Sequence, residues 1–561
     1  MINLFKSAFT IVIACLLAFA GFGQNSSPIE PNKPLPETSV TFKTSDKKLQ
    51  NLFDKACEKA QWNIAVFGKY KVLVEGAQYK NVWLETQPMG GYMYARQNLE
   101  TALNNILIFI DYQREDGRLP GMLSYKNGDI TAHYGWFQGY CFPMPAFELY
   151  FWLNKDKVYL ERIYNALSKF DDYLWKTRDS DRNGCLETWC FWDTGEDDCS
   201  RLGNSPNSWI YDYPPSAEKI RKMGPEEMKT CCAKIISDFK DFPVPIESMD
   251  VMSYSYSGRD VLAKISKELN NGKEVFWRSK AEEVRRKIKT YLWNAAEHAC
   301  YDRDNNNKVM NILLHNNLRC MYFGSFDQQM ADEFIRYHLM NTDEFWTPMP
   351  LPSIAANDPM FKNVTGNNWS GQPQGLTFQR SIRALENYGH YAELDMIGQK
   401  FIKAVSDSLK FTQQFDPFTG TINNSKDGYG PSILSSLEFI SRKFGIHLTE
   451  DRIYWSCIDC SDDYDYKQKW GDKIFRLVTN GNKVVCTING KEVCQFSKGI
   501  RVVTDLNGEV KEIVGIEPEI KNVRINIQGK SFQVSVEPNG VYTFRNKFIL
   551  SKKAPFYKPG K

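Results

Sequence analysis

VLAKISKELNNGKEVFWRSKAEEVRRKI, residues 261–288, decides how this chain is built. Val261, Ile265 and Leu269 fall on one face of a helix, and Trp277, Ala281, Val284 and Ile288 fall on one face of a second. Between them Asn270-Asn271-Gly272 is a turn signal. Two short amphipathic helices joined by a tight turn make an αα-hairpin, since each apolar stripe has to be buried against a neighbour. The same spacing recurs at Leu99, Leu103, Ile106 and Ile110, and again at Leu160, Ile163, Leu167, Phe170 and Leu174. Roughly ten to twelve helices of this kind are expected over residues 46–450. The loops that separate them are long and rich in Gly, Pro, Asp and aromatic residues.

Outside that region the texture changes. LVTNGNKVVCTINGKEVCQF, residues 477–496, alternates β-branched residues with Asn-Gly turns at 480–481 and 489–490. Further turn signals stand at Asn507-Gly508, Gly529 and Asn539-Gly540. They predict a small antiparallel β-sandwich over 470–550, with 451–469 as a linker. At the other end, residues 1–23 hold one charge, Lys6, and an apolar run followed by small residues. This is the pattern of a cleaved secretory signal, too short for a membrane span. Residues 24–45 read as an extended leader packing on the helical domain. The expected location is periplasmic or secreted.

Composition narrows the function. Lys and Arg number 70 against 67 Asp and Glu, a balance that gives no reason to expect nucleic acid or an anionic membrane as partner. Phe, Trp and Tyr make up 14% of the chain, and flat rings suit sugar faces as well as cores. Of 14 cysteines, Cys15 lies in the signal segment, so an odd number remains. Their spacings show no compact disulfide framework, although Cys486 and Cys494 could face each other across a hairpin, and the lone Cys457–Cys460 pair lacks the second pair a zinc site needs. No nucleophile elbow, zinc-protease, phosphate-loop or dinucleotide motif occurs. Carboxylates are the catalytic groups that remain.

CFWDTGEDDCSR, residues 190–201, concentrates them: Asp193, Glu196, Asp197 and Asp198 beside Trp192 and Arg201. Four acids in one loop would raise one another's pKa and keep one carboxyl protonated near neutrality. Arg201 would hold a neighbour ionised or grip a sugar hydroxyl. The stretch from Trp192 to Arg201 resembles the acid motif of the six-hairpin glycosidases, the superfamily of trehalase and the processing α-glucosidase of N-glycans. In that alignment the general acid falls on Asp197. Companion segments follow in family order: the hairpin from Gly90 to Met122, GWFQGYCFPMPAF (135–147), ESMDVMSYS (247–255), NNWSGQPQG (367–375) and DGYGPSI (427–433). The resemblance implies a mainly α fold, an (α/α)6 toroid barrel followed by the β-sandwich. It implies an exported hydrolase that cleaves an oligosaccharide with an acid and a base, by inversion. It also implies a sugar pocket lined by Trp192, Asp193, Arg201, Trp209, Trp369, Gln372, Gln374 and Gln413.

One departure stands out. The family's catalytic base is a glutamate, and in QQFDPFTG (413–420) the matching position holds Gln413, which cannot take a proton from water. Another carboxylate would then serve, with Glu85, Glu247 and Asp416 as candidates. The alternatives are assistance by the substrate, phosphate as nucleophile in a phosphorylase, or a glycan-binding protein that cleaves nothing. Asp179, Asp181 and Asn183 in DSDRNGCLE match the first half of a calcium loop, but its twelfth position is Cys190, and a turn is the simpler reading. No metal or other cofactor is expected.

Overall fold

The computed structural model describes residues 34–203, 205, 243–422 and 426–561. The signal segment 1–23, residues 24–33 of the leader and Trp209 lie outside the described residues. Twelve α-helices are found among those described: α1 (Lys47–Trp62), α2 (Gln87–Tyr94), α3 (Leu99–Asp111), α4 (Pro143–Trp152), α5 (Lys157–Thr177), α6 (Met249–Leu269), α7 (Glu274–Lys287), α8 (Asn316–Phe323), α9 (Gln328–Phe334), α10 (Gly375–Glu386), α11 (Tyr391–Ser408) and α12 (Gly430–Phe444).

The hairpin of residues 261–288 is α6 and α7. Asn270 closes α6 in the left-handed conformation, φ 52° and ψ 41°, the usual device for turning a chain out of a helix. In α7 only Ala281 and Val284 are buried, so this helix lies on the outside, along α6. Helix α6 starts at Ser248, whose Oγ accepts from the amides of Asp250 and Val251. Helices α2, α4, α6, α8, α10 and α12 each pack on the next, and α12 packs back on α2. On these, α1, α3, α5, α7 and α11 rest from outside, against α12, α2, α6, α6 and α10 respectively. Every residue of α8 and of α12 is buried. The serines of α12 survive burial because their hydroxyls donate to nearby carbonyls: Ser435 to Pro431 at 2.7 Å, Ser436 to Ser432 at 2.9 Å and Ser432 to Thr412 at 2.6 Å.

Beyond α12 the chain is all strand, so the whole is a mixed helical and sheet structure. One antiparallel sheet has seven strands in the order Thr38–Thr44, Tyr464–Trp470, Lys473–Asn480, Lys483–Ile488, Lys491–Ser497, Lys521–Ile527 and Lys530–Val536. The other has six: Ile446–Leu448, Arg452–Cys457, Ile500–Asp505, Val510–Gly515, Gly540–Phe544 and Phe548–Lys553. Their apolar faces meet where Trp455 of the second approaches Phe475 of the first, ring centroids 6.5 Å apart. Asn489 and Gly490, φ 50° and 79°, make the tight hairpin turn expected of Asn-Gly. Cys486 and Cys494 stand opposite each other across that hairpin as free thiols.

Two expectations change. Residues 451–469 are not a linker: they supply Arg452–Cys457 and Tyr464–Trp470, one strand to each sheet. Alternation of buried Ile453 and Trp455, and of Tyr464 and Tyr466, is the reason, and the aspartates of 459–463 only mark the turn between them. The leader is extended as read, but Thr38–Thr44 pairs with Tyr464–Trp470 rather than lying on the helices alone. Among the described residues no helix is long and apolar enough to cross a membrane.

Candidate active site

Loop 192–201 divides its charges between two directions. Asp193 is fully buried and accepts from Phe137 N at 2.8 Å, Trp189 N at 2.9 Å and Arg178 Nη1 at 2.7 Å. Glu196 pairs with Arg201, which also pairs with Asp302 and, at 3.5 Å, with Asp250. His315 Nε2 lies 2.8 Å from the Glu196 carboxylate. Burial opposes ionisation of Glu196, yet Arg201, Arg319 and His315 hold its carboxyl well below the usual range. Asp193 and Arg201 therefore anchor the loop from beneath and are not exposed to a sugar. This corrects the substrate-binding roles expected of them.

Asp197 points the other way, into a pocket of about 230 Å³ that it shares with Glu75, Glu85, Gln413 and the rings of Trp83, Trp192 and Trp369. Arg319 Nη1 donates to Thr194 O at 2.8 Å, and Trp369 N donates to Asp197 O at 3.0 Å, so the loop is tied on both sides of the acid. Burial is the main reason the Asp197 carboxyl is pushed up to about 7. The Asn367 amide and Trp192 indole oppose that shift, while the charges of Glu85 and Asp198 add to it. The expected mutual repulsion of four acids is thus a minor contribution, and desolvation does most of the work.

Gln413 does lie in this pocket. Tyr79 Oη donates to its Oε1 at 2.9 Å, and its Nε2 donates to Asn367 Oδ1. Asn367 Nδ2 in turn donates to Asp197 Oδ2 at 2.5 Å. A chain of amides therefore runs from Tyr79 to the acid. Trp192 and Trp369 line the cavity as expected. Gln372 and Gln374 lie behind it: Gln372 Nε2 donates to Asn363 Oδ1 at 2.7 Å, and Gln374 Nε2 to Asn368 O at 3.3 Å.

The three candidate bases separate. Glu85 reaches the pocket, but Arg380 holds it at 2.8 Å. Glu247 sits apart, accepting from Asn183 Nδ2 and, at 2.7 Å, from Tyr291 Oη, and serves the turn at 179–187. Asp416 caps its own turn, accepting from Phe418 N and Thr419 N at 2.9 Å each and from Asn363 Nδ2 at 2.8 Å. These bonds hold the Asp416 carboxyl below its ordinary value against the effect of burial. Asp181 and Asn183 of the calcium-like segment bond to each other at 2.9 Å, and Asp179 Oδ1 accepts from Gly184 N at 3.3 Å. That is turn geometry.

Several pocket residues escaped the sequence reading: Glu75, Tyr79, Trp83, Gln138, Asn367 and Tyr429. Glu75 carried one faint signal, an acid inside the apolar run VLVEG (72–76), where an unpaired charge is costly.

The sequence matches the family model of the mannosylglycerate hydrolase MGH1-like glycoside hydrolase domain over residues 91–431. No curated protein sequence matches the chain. Among solved structures, the fold is similar to a GH63 mannosylglycerate hydrolase from Thermus thermophilus in complex with glucose, at 17% identity and a TM-score of 0.53, over 69% of this chain and 99% of that one. The complex of a Thermus thermophilus mannosylglycerate hydrolase with Tris gives 16% and 0.55 over 70% and 100%. A structure described as a sialidase gives 13% and 0.58 over 83% of this chain and 41% of that one.

Proposed function

This chain belongs to the MGH1-like family of glycoside hydrolase domains and is a glycoside hydrolase, and from that premise we propose that Asp197 is its general acid. The observation that carries the proposal is the division of loop 192–201. Its other buried charges are tied into ion pairs, and Asp197 alone among them reaches a tryptophan-walled pocket with its carboxyl pushed up to about 7. A protonated carboxyl there gives its proton to the glycosidic oxygen as the C–O bond breaks, the step that needs a group with pKa near the working pH.

The pocket belongs, in this reading, to an (α/α)6 barrel of which α2, α4, α6, α8, α10 and α12 are the inner ring, capped by a β-sandwich. The closed sequence of contacts from α2 back to α2 supports it. The substrate is an oligosaccharide whose terminal sugar enters the cavity, between Trp83, Trp192 and Trp369. At about 230 Å³, the described cavity is smaller than the pockets of about 300–1,000 Å³ that take drug-sized ligands, which suits one sugar ring and cleavage from a chain end. Hydrolysis proceeds by inversion, in keeping with the motif resemblance, and export rests on the signal pattern of residues 1–23.

Purified protein assayed against a panel of oligosaccharides, beside Asp197→Asn, tests the reading. Sugar release that falls by about 10²–10⁴ in the variant, with the opposite anomer appearing first by NMR, is the expected result. Gln413 at the base position favours a second reading, a protein that binds glycans without cleaving them. Binding without release in the wild type would select it.

A further inference from the structure

Gln413 leaves the pocket without the family's base, and the wall on which it sits carries a carboxylate of its own. Glu75 lines the same cavity as Asp197. Its neighbour along the chain, Tyr79, is the residue that donates to Gln413, so Glu75, Tyr79 and Gln413 share one side of the site. The Tyr429 hydroxyl favours the ionised Glu75 carboxylate, and the charges of Glu85 and Asp197 oppose it.

The backbone around Glu75 is held with unusual closeness. Glu75 O accepts from Gly430 N at 2.6 Å and Glu75 N donates to Asn81 O at 3.3 Å. A Cβ on Gly430 would come within 2.7 Å of Glu75 O, and one on Gly76, at φ +88°, within 2.3 Å of Gly428 O. Two glycines, Gly76 and Gly430, thus let segment 74–77 press against the DGYGPSI segment. Such a fit fixes where a side chain points, which is what a catalytic group requires.

Of the two other pocket carboxyls, Asp197 is taken as the acid and Glu85 is clamped by Arg380. Glu75 forms no ion pair among the described residues. A base needs lone pairs free to receive a proton, and Glu75 meets that condition where Glu85 does not.

We propose that Glu75 is the carboxylate that activates the attacking water, in the role Gln413 cannot fill. The step balances as follows. One O–H proton of a water passes to Glu75 while its oxygen bonds the anomeric carbon. The bond from that carbon to the leaving oxygen breaks, and Asp197 gives its proton to that oxygen. One water is consumed and two hydroxyl-bearing products leave. Burial and the two neighbouring carboxylates push the Glu75 carboxyl well above its ordinary value. A base must be ionised, so turnover requires a pH at which Glu75 has lost its proton while Asp197 keeps its own. This assignment rests on the glycosidase reading above.

The test compares wild type, Glu75→Gln and Asp197→Asn in the full-length protein on neutral hexose glycosides with alcohol and with dinitrophenyl leaving groups. A dinitrophenolate departs without a proton, so Asp197→Asn should keep most of its rate on that substrate and lose the alcohol glycoside. Glu75→Gln should lose both by about 10²–10⁴, with thermal melting and sugar binding close to wild type. Undiminished turnover in a folded Glu75→Gln overturns the assignment and leaves the hydrolase reading standing. A wild type inactive on every glycoside overturns both. If Glu75→Gln does not fold, Glu75→Asp decides. A rate on the dinitrophenyl glycoside more than tenfold down at unchanged melting supports the role, and a wild-type rate removes it.

Discussion

Asp197 holds its proton at a pH where an exposed aspartate, with a pKa of about 3.9, has lost it. Its folded value of about 7 has two consequences with a definite sign. Activity that needs the protonated acid should fall as pH rises through about 7, which a pH profile of kcat/KM would display as its alkaline limb. The same shift costs stability: the contribution present below the unfolded value is lost as pH rises through the folded one. Asp197→Asn has no such charge to bury, and the amide oxygen still accepts from Asn367. Melting curves should therefore show the variant more stable than wild type at about pH 8 and similar to it at about pH 4. Arg380 presents the opposite case. It is buried beside Glu85 at 2.8 Å, and Arg380→Met would leave that carboxylate uncompensated. A loss of about 3–5 kcal/mol in denaturant unfolding is expected.

At the scale of elements, the catalytic loop depends on one glycine. Gly195 has φ +72°, and a Cβ there would stand 2.4 Å from Glu85 Oε2. Gly195→Ala would impose at least about 1 kcal/mol of backbone strain and push Glu85 away from Arg380 or the loop away from both. Turnover should drop at least tenfold, with a lower melting temperature. The outer helices α5 and α7 were legible because one face is wet and the apolar residues repeat, as at Leu160, Ile163, Leu167 and Phe170. Inner helix α6 was legible as well, through Val261, Ile265 and Leu269, but in α2 and α4 burial on nearly all sides removes the period. In α2 Gly90 and Gly91 interrupt the apolar residues, and in α4 they stand on nearly every side. The site shows the same split. Asp197 announced itself through a compact motif. Glu75 and Tyr79 reach the pocket from one loop and Asn367 from another, and only the fold brings them to Asp197. Asp193 and Arg201 misled for a related reason: a charge beside the catalytic acid can serve the scaffold, and sequence spacing does not tell the inside of a loop from its outside.

At the scale of the molecule, the described residues between 36 and 561 form one compact unit. Trp470 Nε1 donates to Trp152 O of α4 at 3.2 Å, and Arg501 of the six-stranded sheet reaches Glu386 of α10 at 3.1 Å. Glu386 is also gripped by Arg442 of α12, so the sheets and helices share one buried ion cluster. Burial opposes ionisation of Glu386, but the two arginines hold its carboxyl below the ordinary value. Calorimetry should then record a single unfolding transition, and a chain ending near residue 450 should fail to fold; two separable transitions would contradict this.

The edge strand Thr38–Thr44 adds a matter of timing. Glu37 and Lys469, which meet beside it, are 432 residues apart in sequence. At a synthesis rate of roughly 5–20 residues per second, the first strand made waits about 20–90 s for its partner. Until then it offers an unpaired edge to any passing chain. A protein assembled in this way gains from whatever keeps that edge covered until its last third exists.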